Sequence, residues 1–169
     1  MVSTKTHALV PSSKGENTLT LGLGFPFIHG SVQAFYPINQ TYGVGIGASD
    51  LLTLVDTGSI YAHVRFFNKS LLSASIFLEK STAESGGWDG STQTHTALGI
   101  GLTAQTPFGE LSAHMRKRNS DDDAFGVISG LEMRRDTDFF IGSLFEAPWL
   151  VYFGWKIPLV MPSLDLDPL

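Results

Sequence analysis

The chain has no cysteine among its 169 residues. That excludes a disulfide framework and a thiol nucleophile, and it removes the usual ligands of a structural zinc site. Charge is also scarce: Asp, Glu, Lys and Arg make up 16% of residues, against ~25% in an ordinary soluble domain. The formal net charge of −5 lacks the basic excess that would point to nucleic acid as a partner. Despite 43% hydrophobic residues, no stretch approaches the ~18 consecutive apolar residues of a spanning helix. The longest candidate, Trp149 to Met161, is interrupted by Gly154, Lys156 and Pro158. Helices and closed barrels are the only structures that cross a bilayer, so the chain is either soluble or a membrane barrel. Met1 to Asn17 has no apolar h-region, and the expectation is a mature form whose export signal has been removed.

Glycine, by contrast, is abundant, with 18 residues, and it alternates with apolar side chains, most clearly in Tyr42-Gly43-Val44-Gly45-Ile46-Gly47-Ala48. A period of two marks a strand, whose successive side chains point to opposite faces. Ile60, Ala62, Val64 and Phe66 oppose Ser59, Tyr61, His63 and Arg65, and Leu98, Ile100, Leu102 and Ala104 oppose Ala97, Gly99, Gly101, Thr103 and Gln105. Leu19, Leu21, Leu23, Phe25 and Phe27 are expected on one face of the first strand. Ten strands are predicted, over 18–28, 31–37, 41–49, 58–67, 71–80, 93–106, 109–118, 124–135, 138–146 and 149–160. If the short second strand merged with a neighbour, eight would result. The predicted division is an N-terminal tail, 1–16, a barrel, 17–161, and a C-terminal tail, 162–169.

The connections sort by length. Short turns fall at Ile38-Asn39-Gln40, Asn68-Lys69-Ser70, Pro107-Phe108 and Asp136-Thr137; longer loops run over 50–57, 81–92 and 119–123. Short turns on one side, longer loops on the other and an even strand count are the pattern of bacterial outer-membrane barrels.

Alternation does not say which face meets solvent, because a soluble lipocalin-like barrel alternates too, with its apolar face inside. Two observations favour apolar outside. The polar face is rich in small residues, among them Gly22, Gly43, Gly45, Gly47, Ser73, Ser75, Gly99, Gly101, Gly130 and Gly154; a narrow interior needs small beside large, whereas glycine weakens an exposed strand face. Aromatic residues on the apolar face also cluster near strand ends. Tyr36, Tyr42, Phe66, Phe139 and Trp155 would lie toward the short turns, and Phe27, Phe125, Phe145 and Trp149 toward the long loops. Two such girdles are expected at the two membrane interfaces.

The last strand, Tyr152-Phe153-Gly154-Trp155-Lys156-Ile157-Pro158-Leu159, resembles the C-terminal β-signal of bacterial outer-membrane barrels: a polar residue, then glycine two positions on, then alternating hydrophobic positions. It departs from that pattern in ending on Leu159 rather than an aromatic residue, with ten residues following. The resemblance implies an outer-membrane location and recognition by the barrel-assembly machinery. It indicates no subfamily.

The predicted lumen carries His63, Arg65, Glu79, His95, His114, Arg116, Glu132, Arg134 and Lys156. Charges in a narrow low-dielectric lumen must be paired, which predicts a core of ion pairs and hydrogen bonds that closes the barrel. The principal alternative is a lumenal hydrolase: small outer-membrane barrels include lipid A deacylases with a Ser-His-Glu site, and here Ser112 and His114 point the same way two residues apart, with Glu132 on the next strand. Such a set could supply a nucleophile, a base and an orienting group. A narrow solute channel is the third reading, although open porins use ~16–18 strands. No cofactor or metal is expected.

The long-loop side is acidic, with Asp50, Asp56, Glu84, Asp89 and Asp121-Asp122-Asp123, above the basic run Arg116-Lys117-Arg118. Carboxylates there could bind divalent cations at a lipopolysaccharide surface, but a solvated loop that keeps the surface soluble is the favoured reading; the expected partner is membrane lipid, with lipopolysaccharide as one candidate. Ser85 to Gly90, with Trp88, reads as a loop able to contact a protein partner.

Overall fold

A computed structural model describes residues 16–24, 27–52, 57–84, 92–119, 128–135, 138–144 and 150–160. These form an all-β, closed antiparallel barrel of ten strands, and eight strands are excluded. In chain order they are β1 (Thr18–Gly24), β2 (Phe27–Pro37), β3 (Gly43–Leu52), β4 (Thr57–Lys69), β5 (Leu72–Glu84), β6 (Thr92–Thr106), β7 (Gly109–Arg118), β8 (Ile128–Arg134), β9 (Phe139–Leu144) and β10 (Leu150–Pro158). Each strand pairs with its sequence neighbours, and β1 closes on β10 with Gly22 opposite Gly154. A Cβ at Gly154 would fall on the Leu21 and Gly22 backbone, so this seam requires glycine for close approach.

The strands are inclined to the barrel axis. The hydrogen-bonded row through Val32 runs one way to Leu19 and on to Ile157, near the short-turn end of β10. The other way it passes Ala48, Ile60 and Lys80 to Thr96, in the half of β6 nearer the long loops. A row that climbs in this manner is the stagger a sheet needs in order to close.

Two expectations about the strands need correction. β1 ends at Gly24 and β2 begins at Phe27, with Gly24 paired to Phe27, so the break expected at His29-Gly30 lies within a strand. Gly30 is a strand residue opposite Leu21 and Asp50. β2 is therefore a full-length strand of 11 residues. At the same end of the sheet, β3 reaches Leu52 and β5 reaches Glu84. Asp50 and Glu84 thus belong to strands, not to loops. The tight turns at 38–42 and 107–108 fall where expected, while the one expected at 68–70 lies at 70–71, because β4 continues through Lys69. In the first, the Asn39 side chain accepts hydrogen bonds from the backbone N–H groups of Thr41 and Tyr42 (2.8 and 2.7 Å), the way an Asx side chain imitates a backbone turn. In the 107–108 turn, Gly109 has φ +127° and Thr106 Oγ1 donates to its carbonyl at 2.7 Å.

The polarity of the two faces is inverted relative to a soluble barrel. Ile46 and Leu78 are 66% and 55% exposed, while Ser75 is 0%, Glu79 1% and His114 1% exposed. Leu21, Leu23, Val32, Val64, Ile76, Leu98, Val151 and Phe153 share the outer surface. Among the described strand residues, the outward charges away from the short-turn end are Asp50, Lys80 and Lys117, all toward the long loops.

Candidate functional site: the lumen

The interior is built on a repeated steric device. An inward ring on one strand lies over a glycine on the next: His29 over Gly22, Phe35 over Gly43, Tyr61 over Gly47, His63 over Gly45, Phe77 over Gly99 and Tyr152 over Gly142. A Cβ at any of these glycines would overlap the ring. The glycines that alternate through the sequence are therefore seats for the rings that fill the barrel, which is how an interior too narrow for two large side chains at one level is packed. The rings then meet one another. His29 stands edge-on to Tyr152, with centroids 5.1 Å apart, and Tyr152 stands edge-on to Phe140 at 5.7 Å. His63 lies between Phe35 (5.6 Å) and Tyr61 (6.1 Å), and Phe77 is edge-on to His114 at 6.0 Å.

Two buried ion pairs fill the space between the rings. Arg116 Nη1 donates to Glu79 Oε2 at 2.7 Å, with both side chains 1% exposed, and Arg116 Nη2 lies 2.7 Å from His114 Nε2. Lys156 pairs with Glu132 across β9 and sits over the Phe140 ring at 5.4 Å. Charges this deep remain ionised only when each faces its opposite. Tyr61 reaches across to Gln33 with an O–H···O bond of 3.1 Å.

Side chains brace the short-turn end. Arg65 stacks on Phe35 at 4.9 Å and donates to the Thr41 carbonyl at 3.1 Å, while Asn68 donates to the Gln40 carbonyl at 2.8 Å. The 38–42 turn is thus held by two β4 side chains. On the other side Glu16, just before β1, takes a 2.7 Å hydrogen bond from Arg134 on β8, and Arg134 also lies 3.4 Å from Asp138.

His63, Arg65, Glu79, His114, Arg116, Glu132 and Lys156 are buried inward. His95 and Arg134 are half-buried near opposite ends. The three residues considered for catalysis are neighbours: Ser112 is directly opposite Glu132 and two residues from His114. Their polar contacts nevertheless lead elsewhere, Ser112 to Thr103 Oγ1 (3.0 Å), His114 to Arg116 and Glu132 to Lys156. Among the described residues no group of His, Asp and Glu is arranged to hold a metal ion.

Of the aromatic girdle, Tyr36, Tyr42, Phe66, Phe139 and Trp155 are outward and exposed toward the short-turn end, with Phe139 edge-on to Trp155 at 5.9 Å. Phe27 begins β2 at the long-loop end instead of ending β1. The Phe27 side chain, together with Phe125, Phe145 and Trp149, lies outside the described residues. So do Asp56, Asp89, Trp88 and the 121–123 run.

Several lumen residues are absent from the sequence-based set: His29, Gln33, Phe35, Glu110, Phe140 and Tyr152, all buried. His29 was hidden by the misplaced first turn. Phe140 and Tyr152 are inward residues in segments that are apolar on both faces, so alternation carries no polarity signal there, while Phe35 is the apolar member of an inward row with Ser31 and Gln33. The seats of Phe35 and Tyr152, Gly43 and Gly142, are the available clue.

Comparison of the chain with protein-family models, with curated proteins and with solved structures returns no match.

Proposed function

We propose that this chain is an integral β-barrel of a bacterial outer membrane, with a lumen closed by its own side chains and a structural or interaction role. The observation that carries the reading is the inverted polarity of the sheet: branched aliphatic residues cover the outside, while two ion pairs are buried on the axis. A soluble barrel does the reverse, and an exposed apolar surface of this extent calls for a partner or a membrane. The even strand count, the tight turns at one end, the Tyr36–Tyr42–Phe66–Phe139–Trp155 ring beside them and the β-signal-like β10 all support the outer-membrane form of that reading. The tight-turn end, where β1 begins and β10 ends, then faces the periplasm. Assembly would use the barrel-assembly machinery, and the surrounding lipid, lipopolysaccharide outside, is the first partner.

Closure is supported by the ring-on-glycine packing, the Glu79–Arg116 and Glu132–Lys156 pairs, and the ties across the short-turn mouth. The test is refolding into detergent followed by insertion into a planar bilayer. The expected result is a heat-modifiable band on a cold gel with no steady conductance. A barrel that migrates as folded and conducts would establish a channel instead, and a soluble monomer without detergent would refute the membrane reading altogether.

A further inference from the structure

Six inward glycines, Gly22, Gly43, Gly45, Gly47, Gly99 and Gly142, are each occupied by a ring, but the outward Gly30 and Gly58 are not. A Cβ at Gly58 would meet nothing within 4 Å, and one at Gly30 only atoms at 3.9 Å. Glycine inside a strand weakens it and often marks a place where another molecule approaches closely. Gly30 and Gly58 flank Asp50 in one hydrogen-bonded row across β2, β3 and β4. They form the floor of an outward-facing depression of about 710 Å³, bordered by Asp50 and Lys80.

A second depression of about 700 Å³ adjoins it toward the tight turns, sharing Val32, Ala48, Ile60 and Lys80. Its surface is apolar. Ala34, Ala48 and Ala62 are the low points on β2, β3 and β4, and Ile46, Ile60 and Leu78 the high ones. The whole groove thus has an aliphatic channel at its lower end. At its upper end it has a bare backbone floor with one cation and one anion, and no ion pair joins Lys80 to Asp50 among the described residues. A cation on a lipid-facing strand is tolerated toward the interface and costly toward the midplane.

We propose that this groove binds one molecule of lipopolysaccharide. An acyl chain lies along Ala34, Ala48 and Ala62. The phosphorylated sugar rests on Gly30 and Gly58, Lys80 pairs with a phosphate, and Asp50 accepts a hydrogen bond from a sugar hydroxyl. Charge complementarity selects a headgroup that is both an anion and a hydrogen-bond donor, and the position toward the long loops places it in the outer leaflet. The proposal rests on the membrane reading above.

The test is a native mass spectrometry titration of the refolded barrel in detergent with bis-phosphorylated lipid A, dephosphorylated lipid A and phosphatidylglycerol. The expected result is one lipid A per barrel. Gly58→Leu, which fills open space and leaves the barrel folded, should weaken binding at least tenfold. Lys80→Gln should weaken it about tenfold, and removing the phosphates should weaken the parent chain but not Lys80→Gln. Unchanged binding by Gly58→Leu, or phosphatidylglycerol binding as well as lipid A, would overturn the assignment. So would a dimer that Gly58→Leu disperses, since the groove would then belong to a second copy. A heat-modifiable barrel that takes up no lipid A refutes the groove alone; a chain soluble without detergent refutes both readings.

Discussion

Replacing Glu79 with leucine should cost the barrel about 3–5 kcal/mol. Glu79 and Arg116 meet at 2.7 Å with each side chain 1% exposed, so water cannot solvate a guanidinium whose carboxylate has been removed. His114 would remain beside it at 2.7 Å, but a ring nitrogen does not cancel a positive charge. Arg116→Met alone leaves the opposite charge stranded and should cost a similar amount. The double variant Glu79→Leu, Arg116→Met exchanges the pair for apolar volume. Because the penalty for desolvating two ions then disappears, it should recover at least ~2 kcal/mol relative to either single change. The assay is equilibrium urea unfolding in detergent micelles, followed by tryptophan fluorescence. With a slope near 2 kcal/mol/M, each single variant should lower the midpoint by about 2 M, and the double variant should restore at least half of that. If the single variants shift the midpoint by less than about 0.5 M, or if the double variant loses the sum of the two, the two groups do not form a desolvated pair and the closed-lumen argument fails with them.

Three further outcomes are expected. Gly99→Ala would set a methyl group into the Phe77 ring, which is itself 2% exposed; overpacking of this kind should cost about 1–3 kcal/mol, measured in the same unfolding assay and relieved by Phe77→Leu in the same chain. Gly109→Ala should cost at least about 1 kcal/mol, because the residue has φ +127° and its Cβ would fall on the Arg134 carbonyl; a neutral result would mean the β6–β7 turn takes another conformation. Leu78→Arg places a charge on the outer face next to Leu98 and should cost about 2–4 kcal/mol if that face is in hydrocarbon near mid-depth, against near zero if it is in water.

Strand order, strand number and the direction of most side chains were legible because a two-residue period leaves few alternatives when polar and apolar residues truly alternate, as in 43–48 and 97–105. Legibility failed for specific physical reasons. His29-Gly30 looks like punctuation, yet Gly30 is paired on both sides, with Leu21 and with Asp50, inside β2. The upper strand ends lie beyond the expected ones because β5 continues from Ser81 to Glu84, residues that read as loop although the inward Ser81 is buried. Within the lumen, charge identified the ionisable residues but not their partners. Glu132 joins Lys156, two strands away, in place of the adjacent Ser112 and His114, and no local spacing encodes that choice. The rings of Phe35, Phe140 and Tyr152 escaped notice because an aromatic residue beside outward aliphatics looks like more of the same surface.

The claim on which everything rests is that the exposed aliphatic face meets acyl chains. The absence of cysteine makes this measurable without background, by attaching a nitroxide in turn at Ile76→Cys, Phe77→Cys and Leu78→Cys of β5 in reconstituted vesicles. The account predicts that labels at 76 and 78 are relaxed strongly by oxygen and weakly by a water-soluble nickel chelate, with the label at 77 sheltered from both. Strong relaxation by nickel at 76 and 78 would contradict it.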